Sequence, residues 1–308
     1  MSDYLLSILL GIVEGLTEFL PVSSTAHLRL VQSLFGLELT AGYWKMYAVV
    51  IQLGAILCLP VYFRTRIARF LSTFPRGEAG DRTVLTHPLG LVAIAFVVTA
   101  VPSFLLSRVI GEHLESLVLM GVALLVGGII MWLIDARQAP AEKAGLEREA
   151  GAGRGVPIRG QGRIRTWSME AMTPAQSAWV GACQILAAVF PGTSRSMATI
   201  AGGQLAGMSR AAALEFSFFL SMPTMAVATL FDLFQTVRGT PDNPLGASGI
   251  DGHGWIVLAI GFVVSFLVAY AAVAWFMAWV RHRGFAPFAV YRIVLGIVVL
   301  IVAGGWLH

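Results

Sequence analysis

VFPGTSRSMAT, residues 189–199, interrupts an apolar segment with a proline, a glycine, four hydroxyl side chains and an arginine. Pro191 and Gly192 favour a break in a helix, because proline lacks an amide hydrogen and both residues have poor helix propensity. A helix that restarts after this break directs its first N–H groups outward, which is an arrangement that holds anions. Arg195 adds a permanent charge whose planar donor fork suits phosphate oxygens. The sequence therefore predicts an anion-binding turn.

The composition around this turn is that of a membrane protein. Of the 308 residues, 57% are hydrophobic and 12% are charged, and the mean hydropathy is +0.77. A helix needs about 20 apolar residues to cross a bilayer, and six runs meet this requirement. They are residues 43–63, 88–106, 116–135, 211–233, 255–280 and 288–306. We therefore predict an all-α integral membrane protein with six transmembrane helices.

Basic residues indicate how the chain is oriented. They concentrate in the segments 64–82, 136–171 and 281–283, which the positive-inside rule places in the cytoplasm, with the connections 107–115 and 234–254 outside. We expect 136–171, which is rich in glycine and arginine, to be a flexible cytoplasmic linker. Its glycine-rich spacing disfavours nucleic-acid binding, the other common use of a basic loop, and no nucleic-acid partner is expected.

The chain contains two related halves. EGLTEFLPVSSTAH, residues 14–27, aligns with QILAAVFPGTSRSM, residues 184–197. Each segment belongs to an interrupted apolar stretch, and each stretch is followed by three of the six predicted spans. The expected organisation is a first repeat over residues 1–135, the linker, and a second repeat over residues 172–308.

The two halves are expected to run in opposite directions through the membrane. With the basic segments inside, the span 43–63 runs from outside to inside and its counterpart 211–233 runs from inside to outside. The same reasoning makes residues 4–36 and 174–207 two re-entrant helix hairpins, which enter from the outside and from the inside respectively. We therefore predict an inverted-topology repeat, in which broken helices form a site near the bilayer midplane.

Ionisable residues of the first hairpin indicate chemistry at this site. Glu14 and Glu18 share one helix face, and His27 follows Ser24 by three residues. An ion at the centre of a membrane helix costs about 2.5–3.5 kcal/mol, which favours a polar cavity. The alternative is a shallow hairpin whose acids lie in headgroup water. These groups, facing Arg195, can support phosphoryl transfer, or the carboxylates can hold Mg²⁺ or Ca²⁺; the residues leave both roles open.

Four segments carry a resemblance to a known family. EGLTEFLPVSSTAH and PGTSRSMAT, together with VVIQLGAIL and EFSFFLSMP, resemble the bacitracin-resistance family of undecaprenyl pyrophosphate phosphatases along essentially the whole chain. The resemblance implies an enzyme of the bacterial inner membrane that removes the terminal phosphate of undecaprenyl diphosphate. Such an enzyme recycles the lipid carrier for peptidoglycan synthesis and confers bacitracin resistance, and its active site is expected to face the periplasm.

The functional positions of the family map onto individual residues. The resemblance implies a catalytic core of Glu18, Ser24, His27 and Arg195, in which Ser24 or a glutamate-activated water attacks the distal phosphorus. It implies substrate binding by Glu14, Ser23, Gly192, Thr193, Ser194, Ser196 and Thr199. A divalent cation, Mg²⁺ or Ca²⁺, is expected to assist, with Glu14 and Glu18 as its ligands. The expected partners are a polyprenyl diphosphate, membrane lipids and a second copy of the chain in a homodimer.

Two other classes of membrane protein fit parts of the pattern. A secondary transporter or lipid flippase can be built on the same inverted repeat, but the combination of Glu18, Ser24, His27 and Arg195 is richer in acid, base and nucleophile than ion coupling needs. A receptor without turnover leaves the charges in the membrane unexplained. Hydrolysis is therefore the favoured function, and transport is the alternative.

Several other charged residues lie in the predicted spans, among them two acids and an arginine of the second repeat. Glu215 and Asp232 fall near span ends, where we expect them to be interface residues rather than ligands. Arg292 follows Pro287 by five residues. We expect its long side chain to snorkel to the cytoplasmic surface.

Overall fold

The computed structural model describes residues 2–37, 42–111, 116–151, 163–238 and 250–305. Within these ranges the chain forms eleven α-helices and one short 3-10 helix, Met169–Ala171. The α-helices are α1 Asp3–Thr17, α2 Ser24–Phe35, α3 Gly42–Tyr62, α4 Arg64–Thr73, α5 Pro88–Gly111, α6 Leu117–Gly151, α7 Pro174–Val189, α8 Arg195–Leu205, α9 Arg210–Arg238, α10 Gly252–Arg283 and α11 Ala286–Gly305. The prediction of an all-α protein is confirmed.

Six of these helices are long and apolar enough to cross a membrane. The candidate spans are Gly42–Tyr62, Pro88–Leu106, Leu117–Glu147, Arg210–Gln235, Gly252–Val280 and Ala286–Gly304. Each of the six predicted runs coincides with one of them, so the prediction of six crossings is confirmed. The protein is a multi-pass membrane protein.

Helix α6 is longer than the apolar run that predicted it. It continues through the first part of the segment predicted as a linker and ends at Gly151. Two acidic residues of α6, at the end of the apolar run and beyond it, are buried: the Asp135 carboxylate accepts bonds from the Arg210 side chain, and the Glu142 carboxylate accepts from the Arg210 backbone N–H. These long-range bonds support a helix that hydropathy alone does not indicate. Residues 152–162 of the predicted linker lie outside the described residues.

Contacts divide the chain into two compact units, and each is discontinuous in sequence. The first unit comprises Met1–Arg64 and Ser221–Trp275, and the second comprises Thr65–Leu220 and Phe276–His308. The first unit contains the hairpin formed by α1 and α2. The second contains the hairpin formed by α7 and α8.

In the first unit, α1 packs closely against α10. A Cβ atom on Gly15 would lie 2.7 Å from the Ser265 carbonyl oxygen, so only glycine permits this approach. The Ser7 hydroxyl donates to the Val257 carbonyl at 2.7 Å, which ties the other end of α1 to the same helix. Small residues at such interfaces allow helix backbones to approach in lipid. The contact fixes the helix that carries Glu14 to its neighbour.

In the second unit, α7 packs against α5 in the same manner. A Cβ atom on Gly181 would lie 2.5 Å from the Ala95 carbonyl oxygen, and the Thr99 hydroxyl donates to the Gly181 carbonyl at 2.8 Å. Helix α7 begins with a capping box, in which Thr173 and Gln176 each accept a backbone N–H of the other residue. Capping satisfies N–H groups that have no partner inside the helix. The hairpin is therefore anchored ahead of its turn.

Candidate functional site

The turn between α1 and α2 has an unusual backbone. Ser23, immediately before α2, has φ +73°, in the left-handed region that serine rarely adopts. The Ser23 carbonyl accepts bonds from the His27 N–H at 3.4 Å and from His27 Nδ1 at 2.7 Å. Because a carbonyl can only accept, Nδ1 carries the hydrogen, and Nε2 is the basic atom of the neutral ring. The backbone of this turn thus sets the tautomer of His27.

A hydroxyl and a carboxylate meet in the same turn. The Ser24 hydroxyl donates to Glu18 Oε2 at 2.6 Å. Glu18 caps the end of α1, where its N–H donates to the Glu14 carbonyl, and only 8% of the residue is exposed. A hydroxyl bonded to a carboxylate is the arrangement that activates a serine nucleophile. The structure thus brings two of the predicted site residues, Glu18 and Ser24, into hydrogen-bond contact.

Glu14 lies one helical turn before Glu18 and is 1% exposed. In the described part of the chain, no group of three or more His, Cys, Asp and Glu side chains could hold a metal ion. The chemistry of the donor set still fits a hard cation, because Mg²⁺ is commonly held by one or two carboxylates and completes its shell with phosphate oxygens and water. Glu14 and Glu18 could supply those two carboxylates.

Helix α6 packs against the turn between α7 and α8. Gly192 has φ +87°, and a Cβ atom at this position would lie 2.6 Å from the Met120 carbonyl oxygen. Both the conformation and the contact therefore require glycine. Ser194 caps α8, and its hydroxyl oxygen accepts the Met197 N–H at 3.4 Å. The predicted helix break and restart lie where the sequence placed them.

The two turns share a backbone feature that the aligned sequences do not show. Ser194 has φ +67° and directly precedes α8, as Ser23 directly precedes α2. The alignment pairs Ser23 with Thr193, but the backbone pairs it with Ser194, because the second turn has one more residue between its proline and its helix. In local structure, Arg195 therefore corresponds to Ser24.

The other predicted residues of the second hairpin lie in α8 or immediately before it. The Thr199 hydroxyl donates to the Arg195 carbonyl at 2.9 Å and lies 2.6 Å from the Ser217 hydroxyl. Ser196 and Thr193 are also buried, whereas Arg195 and Ser194 are partly accessible. Arg195 and Ser194 are therefore the members of this group best placed to meet a ligand.

Arg292 lies deep inside the second unit rather than at a surface. The prediction that it snorkels to the cytoplasmic surface is wrong, because the residue is 0% exposed. Its Nη2 donates to the carbonyls of Thr193 at 2.9 Å, Gly192 at 3.1 Å and Ala123 at 3.2 Å. A sequence signal for a buried position is that Arg292 is the single charged residue of the otherwise apolar helix α11.

The structure divides the predicted site residues between the two units. Within the first unit it brings together Glu18 with Ser24, and Ser23 with His27. The predicted residues of the second hairpin, together with Arg292, belong to the second unit.

Other charged residues of the second unit form ion pairs. Arg66 contacts Glu170 at 2.9 Å and Glu215 at 2.7 Å, and Arg210 contacts Asp135 at 2.7 Å. These pairs join helices of the second unit and account for Glu215 without a role in binding. Outside the spans, His87 caps α5: its Nδ1 accepts the Leu89 N–H at 3.2 Å.

Comparison with known proteins places the chain in a family. The family model for the bacitracin resistance protein BacA matches residues 7–298. The undecaprenyl-diphosphatase of Koribacter versatilis (strain Ellin345) is 58% identical over 302 residues, covering 97% of this chain and 98% of the relative. Undecaprenyl-diphosphatase 2 of Paramagnetospirillum magneticum is 40% identical, with 94% and 95% covered, and the undecaprenyl-diphosphatase of Thermus thermophilus is 38% identical, with 95% and 94% covered. With both turns inside the matched region, the chain belongs to the bacitracin resistance protein BacA family.

Proposed function

We propose that the protein hydrolyses undecaprenyl diphosphate to undecaprenyl phosphate and inorganic phosphate, and so recycles the lipid carrier and confers bacitracin resistance. The observation that carries the proposal is the 2.6 Å hydrogen bond from Ser24 to Glu18, in a membrane protein whose full-length relatives are named undecaprenyl-diphosphatase. A transporter has no need of a serine bonded to a buried carboxylate. Hydrolysis uses both groups.

In the proposed reaction Ser24 Oγ attacks the distal phosphorus and its proton passes to Glu18 Oε2. The new Oγ–P bond forms as the bridging P–O bond breaks, and undecaprenyl phosphate leaves. Water then attacks the phosphorus of the phosphoserine and His27 Nε2 takes a proton of the water. The Oγ–P bond breaks, Glu18 returns its proton to Ser24 Oγ, inorganic phosphate is released, and His27 gives up its proton to the solvent. A water activated by Glu18 is the alternative nucleophile, and it gives the same products without a phosphoserine.

Arg195 and the N-terminus of α8 are proposed to bind the diphosphate. Guanidinium groups form paired bonds with phosphate oxygens, and the first N–H groups of a helix favour an anion. Gly192 and Ser194 shape this end of the helix, and Thr193, Ser196 and Thr199 complete the proposed binding group. Ser23 and Glu14 complete the proposed group in the first turn.

The two hairpins are proposed to be re-entrant and to form an inverted repeat with the six spans. Their helices have 15, 12, 16 and 11 residues. At 1.5 Å per residue the longest reaches about 24 Å, less than the roughly 30 Å of the hydrocarbon core. This shortness supports hairpins that enter and return on one side. In the proposed topology the site faces the periplasm, and the basic loops face the cytoplasm.

A divalent cation is part of the proposal. Glu14 and Glu18 would hold Mg²⁺ or Ca²⁺, which when bound would neutralise charge on the diphosphate. Phosphate release measured with chelator and then with each metal restored tests this role. Full activity in chelator would remove the cation from the proposal.

The purified protein should release inorganic phosphate from undecaprenyl diphosphate in detergent. Ser24→Ala should abolish release, while Thr25→Ala, which changes the neighbouring exposed hydroxyl, should leave it unchanged. Acid quenching followed by mass spectrometry should find phosphate on Ser24. Residual turnover by Ser24→Ala without a phosphoserine would favour water as the nucleophile. If the wild type releases no phosphate but moves a labelled polyprenyl phosphate between leaflets, the protein is a flippase.

A further inference from the structure

The guanidinium of Arg292 fills a space between α6 and the turn that joins α7 to α8. A Cβ atom on Gly127 of α6 would lie 2.6 Å from Arg292 Nη2 and 2.7 Å from the Met197 methyl group. The absence of a side chain at Gly127 therefore makes the space that the guanidinium fills. A fully buried guanidinium is costly unless its N–H groups find acceptors, and here three carbonyls converge on Nη2.

The carbonyls that Arg292 binds determine the direction of the adjacent N–H groups. In a trans peptide unit, the C=O and N–H bonds point in opposite directions. Because the Thr193 carbonyl points at Arg292, the Ser194 N–H points to the opposite side of the turn. The Thr193 N–H, which follows the Gly192 carbonyl, is bound by the Phe190 carbonyl at 3.2 Å. The Ser194 N–H is thus directed outward at the start of α8.

Arg292 also changes the electrostatics of the turn. Without the guanidinium, two carbonyl oxygens with partial negative charge would be free to rotate towards an anion bound at Arg195. With it, the carbonyls of Gly192 and Thr193 point at a cation, and its positive charge lies below the turn. The direction of the carbonyls and the charge of Arg292 both favour an anion on the side of the turn opposite to Arg292. Electrostatic interactions of this kind are strong in a medium of low dielectric constant.

We propose that Arg292 is a positioning residue for phosphate recognition: it fixes the turn that presents the Ser194 N–H, Arg195 and the start of α8 to the diphosphate. The inference rests on the proposed function. It assigns to Arg292 a role exerted through the backbone of Gly192 and Thr193, without contact with the substrate.

The proposal is tested with four variants of the full-length protein, each assayed for KM, kcat and thermal unfolding with undecaprenyl diphosphate. Arg292→Met removes the donors and keeps an unbranched chain. Arg292→Lys keeps the charge, and its ammonium carries three hydrogens for three carbonyls. Gly127→Ala keeps Arg292 but displaces its guanidinium. Thr99→Val is the matched control, because it removes another buried donor to a backbone carbonyl of the same hairpin, away from the turn.

The substrate KM separates positioning from folding, since an inactive unfolded fraction lowers apparent kcat but leaves KM unchanged. Loss of one well-placed bond to a charged group weakens binding by about ten- to hundredfold, and we expect Arg292→Met to raise KM within that range and to lower kcat. Arg292→Lys should stay within about threefold of the wild-type KM, because it retains charge and donors. Thr99→Val should lower the unfolding temperature only.

If Arg292→Met does not fold, Gly127→Ala still tests whether the position of the Arg292 guanidinium affects phosphate binding. The atoms nearest to the new methyl are the flexible ends of Arg292 and Met197, so the helix can accept it, and KM should rise with little change in unfolding temperature. A wild-type KM in both Arg292→Met and Gly127→Ala, or in Gly127→Ala when Arg292→Met cannot be purified, would overturn the proposal. If the wild type itself releases no phosphate, the proposed function fails first, and that result is distinct from an active wild type with silent Arg292 variants.

Discussion

The two hairpin turns have the same backbone signature but different chemistry. Each places a serine with positive φ directly before a helix. In the first turn, side chains bond to each other, as Ser24 does to Glu18. In the second, a buried cation bonds to backbone carbonyls, as Arg292 does to Thr193. The difference teaches that the same backbone conformation can be combined with a side-chain hydrogen bond in one turn and with a buried guanidinium bound to backbone carbonyls in the other.

The largest effect should come from removing the carboxylate that is proposed as the base in the first turn. Glu18→Gln keeps an oxygen that can accept the Ser24 hydroxyl but cannot take its proton. We expect kcat to fall by about 10²–10⁴-fold, the usual contribution of a general base, while KM changes little. Steady-state phosphate release measures both constants. Glu18→Asp is the control, because it keeps a base at a longer distance and should retain more activity than Glu18→Gln. Equal rates for wild type and Glu18→Gln would remove Glu18 from the reaction.

Variants of His27 test whether the reaction needs Nε2, or whether the residue only supports the turn through the bond from Nδ1 to the Ser23 carbonyl. His27→Asn replaces Nδ1–H with an amide donor that can still bond the Ser23 carbonyl, but it lacks Nε2. We expect a fall in kcat of about 10²-fold or more, with the unfolding temperature close to that of the wild type. His27→Ala should lose the same activity and also some stability. Wild-type turnover in His27→Asn would limit His27 to supporting the turn.

Gly192 tests the backbone of the second turn. Gly192→Ala puts a side chain in a left-handed conformation, which costs about 1–2 kcal/mol, and places it against the Met120 carbonyl. A displacement of about 1 Å at a binding group can cost about 10²-fold in rate, so we expect phosphate release to fall towards that level.

Gly80→Ala is the matched control for Gly192→Ala. Gly80 has φ +72°, and a Cβ atom added there would meet nothing within 4 Å, so the substitution carries the conformational cost alone. It should lower the unfolding temperature slightly and leave phosphate release unchanged. Equal activity in the two variants would show that the contact with α6 does not position the turn.

The sequence predicted the spans and the turns well because both follow from local chemistry. Apolar length indicates a crossing, and a proline with glycine indicates a break. The acid and serine of the first turn are six residues apart, and their meeting follows from a short turn. Long-range contacts do not follow from local chemistry: Arg292 and Thr193 are 99 residues apart, and the part of α6 beyond its apolar run is bonded to Arg210 through Glu142, 68 residues away.

The smallest expected effect lies outside both turns, at His87. Burial, followed by the charge of Arg82, lowers the pKa of His87 below its ordinary value of 6.5. The folded protein therefore holds the ring neutral, and in the neutral ring Nδ1 can accept the Leu89 N–H that caps α5. Well above pH 6.5 the ring is neutral in both the folded and the unfolded state and adds no pH dependence to stability. As the pH falls below 6.5, the unfolded chain binds a proton first, so stability decreases.

Thermal unfolding between pH 8 and pH 5 should show this loss in the wild type. His87→Asn keeps a side-chain oxygen that can cap the helix but does not titrate, and it should show a smaller loss over the same range. KM should be the same in the two proteins at each pH, because in the described part of the chain His87 contacts no residue of either hairpin turn. A pH-dependent difference in KM between the two proteins would show that the N-terminus of α5 influences phosphate binding. His87 would then have a role beyond the stability of the fold.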